Sequence, residues 1–237
     1  MKEKEQTKEF DSESYRYISS DIDNEEMIGG FLFPKCIDDK NVEKILEIGC
    51  GNGAGVNEWK KKYRSSTAVG IEPSSDGVAL LKKKWSNVDG LYFESAFAHN
   101  LPFESDTFDI VKSWNVLHWI GRNEYLQSIG ELVRVCRRYL CVMDFVASKN
   151  YRVKYHHKEG LYTYKQDFEP IISACGVMKP IEVLRYWVDP TNERIEHLKD
   201  TELKSFEGNK LSYYALKMVV FEKDYDLLPL KKEDDFI

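Results

Sequence analysis

The segment Glu47-Ile48-Gly49-Cys50-Gly51-Asn52-Gly53-Ala54-Gly55 sets a glycine at every second position. It follows a short apolar run, Lys44 to Ile48, and precedes Val56, Trp59 and Tyr63, which recur at helical spacing. Glycine is needed where backbone turns sharply or must let a ligand approach without a Cβ in the way. Strand, glycine turn and helix in that order constrain the fold more than any other feature, and the rhythm continues. Thr67 to Ile71 reads as a strand, and Val78, Leu81 and Trp85 mark a helix that starts at Pro73-Ser74-Ser75. Gly90 to Phe93 and Phe108 to Ser113 read as two more strands. Leu126, Ile129, Val133 and Cys136 define one helix face, and Tyr139 to Phe145 is a fifth strand. Parallel strands need crossovers, and the crossover helices cover both faces of the sheet. Ligands of such sheets bind at the carboxyl ends of the strands.

After Asp167 the rhythm changes. A helix from Phe168 to Cys175 is followed by Ile181 to Val188, a polar stretch from Asp189 to Lys210, and Leu211 to Phe221. Two long strands without a long helix between them read as an antiparallel pair at one edge, because antiparallel neighbours need no helical crossover. The 237 residues suit one large domain or one domain with insertions. No apolar run reaches membrane-spanning length, and Met1 to Ser14 lacks the apolar core of a secretory signal, so a cytoplasmic protein with no membrane partner is expected. Five widely spaced cysteines without paired C-x-x-C spacing fit free thiols rather than a metal site. The formal net charge of −6 argues against binding a nucleic acid polymer.

The second strand ends in Glu72, about twenty residues beyond the loop, where a carboxylate can accept hydrogen bonds from ribose hydroxyls. Gly49, Gly51 and Ala54 also satisfy the dinucleotide pattern G-x-G-x-x-A, so two cofactor classes fit. Glu47 favours one of them. An unpaired carboxylate two residues before the first glycine would be costly in the apolar setting of a dinucleotide site. A ligand carrying an ammonium group would give it a partner, and S-adenosylmethionine carries one without needing a pyrophosphate cradle.

Taken together, these residues resemble the class I S-adenosylmethionine-dependent methyltransferases. The family's E/D-x-G-x-G-x-G motif corresponds to Glu47, Gly49, Gly51 and Gly53, and its acidic second-strand terminus to Glu72. Leu101-Pro102-Phe103, Thr107-Phe108-Asp109-Ile110-Val111 and Val116-Leu117-His118-Trp119 are similar to the stretches leading into and out of its fourth strand. The resemblance covers about residues 40 to 146. It implies a Rossmann-like, doubly wound, mostly parallel seven-stranded α/β sheet with an antiparallel C-terminal hairpin. The domain would span 41–223, with insertions at 148–166 and 189–210, an N-terminal segment 1–40 supplying a candidate lid, and a C-terminal tail 224–237. It further implies that the glycine loop holds the methionine part of the cofactor and Glu72 the ribose. Phe97 stands near where many relatives carry an adenine-binding Asp, and would pack on the adenine.

The implied reaction is methyl transfer to an oxygen or nitrogen of a small acceptor. His118 is the first candidate for a base and Asp144 the second, while Tyr17, with Tyr15, is a candidate to close over the methyl group. The segment 149–158 holds Lys149, Arg152, Lys154 and Lys158 with no acid. Arg152, Lys154, His156, His157 and Tyr155 are therefore candidates to hold an anionic or phosphate-linked acceptor, such as a surface-polysaccharide precursor. An NAD-dependent oxidoreductase and a non-catalytic methyltransferase-like partner subunit stand as alternatives.

Overall fold

The computed structural model describes residues 18, 33–37, 41–147, 149–155, 159–189, 194–197 and 214–228. Ten strands and four helices lie in them. They are β1 (Lys44–Ile48), α1 (Ala54–Lys62), β2 (Thr67–Glu72), α2 (Ser75–Lys84), β3 (Leu91–Ser95), β4 (Phe108–Trp114), α3 (Tyr125–Val135) and β5 (Cys136–Phe145), then β6 (Tyr151–Lys154), β7 (Tyr162–Lys165), α4 (Glu169–Ser173), β8 (Met178–Asp189), β9 (Arg194–His197) and β10 (Tyr214–Lys223). The main sheet runs β3-β2-β1-β4-β5-β10-β8-β9. β1 to β5 are parallel, whereas β10 is antiparallel to both β5 and β8. The seven expected strands are all present.

Alternate residues of the central strands face opposite helical layers, as strands buried on both sides require. Ile45, Ile110 and Met143 pack with Val56 and Trp59 of α1 and with Val78 and Leu81 of α2. Leu46, Val111 and Leu140 pack with Ile129 and Leu132 of α3 and with Ile172 of α4. α2 begins where the sequence marks it, with Ser74 Oγ accepting the Gly77 N–H at 3.1 Å and Asp76 in the first turn.

One expectation needs correction, and two stretches carry strands that the sequence did not mark. Cys136 is not on the helix face: its backbone is extended and it opens β5, paired with Phe108, so α3 instead buries Ile129, Leu132 and Val135 and leaves Leu126 exposed. The stretch after Asp189 adds a strand to the edge of the main sheet, β9, paired with β8. In the basic segment after β5, Tyr151–Lys154 forms a separate antiparallel hairpin with Tyr162–Lys165. The candidate lid residues Tyr15 and Tyr17 lie outside the described residues, as do His156 and His157.

Candidate active site

β1 is the point at which the strand order reverses, with β2 on one side and β4 on the other, and the glycine loop leaves β1 there. Gly49 and Gly51 hold φ of +65° and +54°, a region that side chains rarely tolerate. A Cβ on Gly49 would also run into Val116. The loop is stitched to the end of β2: the N–H groups of Gly49 and Cys50 donate to the Ile71 carbonyl at 2.8 and 3.1 Å, and that of Gly51 donates to Glu72 Oε1 at 2.5 Å. Glu72, read as a ribose ligand, is thus in contact with the loop itself. Gly53 caps α1 without a side-chain hydrogen bond.

Glu47 lies beneath this loop. Its partner is Lys112 on the adjacent strand β4, with Nζ 2.6 Å from Glu47 Oε1. The Lys112 ammonium also sits 4.0 Å from the ring centre of Trp114 and 5.6 Å from that of Trp59. Burial pushes the Glu47 carboxyl up, against the pull of Lys112. The charge that seemed to call for a ligand is therefore met inside the protein, although Glu47 Oε2 has no hydrogen-bond partner among the described residues. Lys112 escaped the sequence reading; its signal is the one charge between Ile110 and Trp114, in a strand buried along its whole length. Cys50, in the same loop, is no nucleophile: burial, with Glu72 and Glu47 nearby, raises its thiol pKa well above the ordinary value.

Phe97 lies just past β3, half-buried, in a turn closed by the Asn100 N–H on its carbonyl. The preceding Ala96 N–H donates to the Glu72 carbonyl at 3.1 Å, so Phe97 follows directly on the Glu72 end of the site. The Leu101-Pro102-Phe103 stretch is pinned by α3, with the Leu101 N–H on Glu131 and Arg134 donating to the Leu101 and Phe103 carbonyls.

The two candidate bases form one unit. His118 occupies a short 3₁₀ turn, Leu117–Trp119, which follows β4 through Asn115 at positive φ. Asp144 stands near the end of β5, and its Oδ1 lies 2.7 Å from His118 Nδ1. The backbone N–H groups of His118 and Phe145 donate to the same carboxylate at 3.2 and 2.7 Å. A carboxylate only accepts, so Nδ1 carries the proton and Nε2 keeps its lone pair. His118 is 3% exposed. Burial pulls its pKa below 6.5, with Asp144 opposing and Lys165 assisting.

The β6–β7 hairpin lies against this unit. The rings of Tyr155 and Trp119 meet edge to face, with centroids 4.7 Å apart. Lys165 Nζ sits 3.2 Å from the ring centre of Phe145, which in turn lies edge to face with His118 at 4.6 Å. Arg122 bonds Gln166 and stacks on Tyr164. Arg152 and Lys154, by contrast, are exposed on β6, with Arg152 over the Tyr162 ring. The structure therefore brings Tyr155 to Trp119, which packs on His118, but leaves those two cations outside, and it adds Lys165, a lone charge among tyrosines that the sequence reading passed over.

A model of the methyltransferase domain matches residues 45–138. Phthiotriol/phenolphthiotriol dimycocerosates methyltransferase 1 of Mycobacterium ulcerans is 30% identical over 193 residues, covering 77% of this chain and 69% of the relative. The chain belongs to the class I S-adenosylmethionine-dependent methyltransferases.

The cofactor of this methyltransferase is accordingly S-adenosylmethionine, and membership sets aside the NAD-dependent alternative. The site fits that group, since two glycines at positive φ leave backbone open beside a fixed carboxylate at the switch point of the sheet. The fatty-acid O-methyltransferase of Mycolicibacterium smegmatis is 32% identical over 95 residues, which is 40% of this chain. That match spans about a third of the relative's length, 34%. Among solved structures, a SAM-dependent methyltransferase from Methanosarcina mazei superposes with a TM-score of 0.59 at 15% identity, covering 81% of this chain and 98% of that one. It shows the shared fold. Among the described residues no helix is long and apolar enough to cross a membrane.

Proposed function

We propose that this methyltransferase moves the methyl group of S-adenosylmethionine to a hydroxyl or amine of a small anionic acceptor, with His118 as the base and Asp144 holding it. The observation that carries this reading is the 2.7 Å contact between His118 Nδ1 and Asp144 Oδ1 at the carboxyl ends of β4 and β5. The sulfonium supplies an already activated methyl group. What remains for the protein is alignment and removal of one proton. The glycine loop, Glu72 and Phe97 hold and orient the cofactor. Nε2 of His118 accepts the acceptor's proton as the new bond forms, and the Asp144 carboxylate stabilises the imidazolium through Nδ1. The rings of Trp119 and Phe145, packed on His118, limit water around the imidazole.

The apolar walls suit an acceptor with hydrocarbon character. The M. smegmatis relative is named for a fatty acid, at once apolar and anionic, and the M. ulcerans relative for a phthiotriol lipid. A phosphate-linked surface-polysaccharide precursor draws its support from Arg152 and Lys154, and their exposure on β6 weakens that version. The test is incubation of a metabolite extract with isotope-labelled S-adenosylmethionine, read by mass spectrometry. Wild-type protein labels at least one anionic compound, and His118→Ala labels it far more slowly. Cofactor binding without any labelled product would favour a non-catalytic partner subunit.

A further inference from the structure

Lys165 sits against the Asp144–Phe145 end of β5, and it is largely buried. Its ammonium rests on the Phe145 ring, and among the described residues no carboxylate hydrogen-bonds it. Other enclosed lysines have carboxylate partners: Lys112 is paired with Glu47, Lys217 with Asp167 and Glu169, and Lys223 with Asp106. Asp144 attracts Lys165 but is already hydrogen-bonded to His118 and to the backbone N–H groups of His118 and Phe145, so Lys165 is desolvated without a hydrogen-bonded counter-ion, a cost that a ligand carboxylate offsets. Burial lowers the Lys165 pKa from 10.5 to about 8, against the pull of Asp144.

We propose that Lys165 is the acceptor-binding cation of this enzyme and that it grips a carboxylate on an apolar acceptor, at a position separate from the atom that is methylated. This rests on the methyltransferase reading of the site and narrows its substrate class. Charge balance selects a monoanion. A single cation beside the Asp144 carboxylate suits a single negative charge, because Asp144 repels a phosphate dianion more strongly than a carboxylate. The carboxylate is the handle and not the nucleophile, because a carboxylate is already deprotonated and would give the His118–Asp144 pair no proton to take. Phe145, Trp119 and Tyr155 supply apolar contact for the remainder of the acceptor.

The experiment is calorimetry on the full chain preloaded with S-adenosylhomocysteine, using octanoate, octanol and octyl phosphate as probes. Octanoate binds the wild type more tightly than either of the other two. Lys165→Met raises its dissociation constant about tenfold or more, the loss expected for a hydrogen bond to a charged group, and leaves octanol unchanged. Lys165→Arg keeps octanoate binding within roughly threefold of wild type, since the charge remains. Failure of octanoate to bind, equal affinity in Lys165→Met, or a loss in Arg152→Ala/Lys154→Ala in its place overturns the proposal. So does a parallel loss of octanol, which would make Lys165 a packing residue only. The preload separates the two levels of inference: no S-adenosylhomocysteine binding defeats the methyltransferase reading itself, while normal preloading with an insensitive Lys165 variant defeats only the handle.

Discussion

Lys112 Nζ lies 2.6 Å from Glu47 Oε1, and the two side chains are only 1% and 7% exposed. They sit opposite each other on β1 and β4, directly below the first turn of α1, where a Cβ on Gly55 would meet both charged groups. The acidic residue that opens the glycine motif is thereby locked into the sheet by a charge from the strand across the switch point. That contact ties the stability of the fold to the shape of the cofactor loop.

Breaking this pair from one side leaves a buried charge alone. Lys112→Met should lower unfolding free energy by about 3 to 5 kcal/mol, whereas Glu47→Gln/Lys112→Met, which removes both charges, should recover most of it. Urea denaturation of the three proteins checks this. Equal stability of the single and double variants would show that the pair is not an isolated ionic unit.

Glu72 has two tasks on this reading, tethering Gly51 and holding the ribose. Glu72→Ala should weaken S-adenosylhomocysteine binding by about 1.5 to 3 kcal/mol, the scale of hydrogen bonds to a charged group. Glu72→Gln keeps an acceptor for the Gly51 N–H and should lose less. Calorimetry on both variants separates tether from charge, and an unchanged affinity in Glu72→Ala removes the residue from the cofactor site.

At Gly49 a side chain meets both a left-handed backbone and Val116. Gly49→Ala should destabilise the chain by at least about 1 to 2 kcal/mol from backbone strain alone and weaken cofactor binding. Gly49→Ala/Val116→Ala should regain the steric part and keep the strain. Thermal unfolding with and without S-adenosylhomocysteine measures the split, and no rescue at all would place the obstruction elsewhere.

The pH profile reports on His118. Its folded pKa lies below 6.5, so Nε2 stays unprotonated at neutral pH, and single-turnover methyl transfer should rise with pH below 6.5 and then level off. Asp144→Asn should lower the plateau about 100-fold while leaving cofactor affinity intact. Stability follows the same sign. Below 6.5 the unfolded chain takes up a proton that buried His118 refuses, so stability is lost as pH falls from 6.5 towards the folded pKa. His118→Gln should flatten that part of the stability curve.

The sequence by itself determined the strand and helix alternation, the glycine turn, Glu72 and the antiparallel C-terminal pair, because apolar periodicity, glycine spacing and the lack of a crossover helix are all local signals. It also named His118 and Asp144, but as rivals. Only the tertiary structure made them partners: they are 26 residues apart, on adjacent strand ends, and parallel pairing of β4 with β5 sets the carboxylate against the imidazole. The same holds for Glu47 and Lys112, separated by 65 residues and joined by register. The basic segment shows the converse. Its composition singled out Arg152 and Lys154, yet β6 is exposed along its whole length, so Lys165, on the partner strand β7, is the cation that reaches the Phe145 ring. Charge along a chain is a local property. Which charge is desolvated depends on which strands pair.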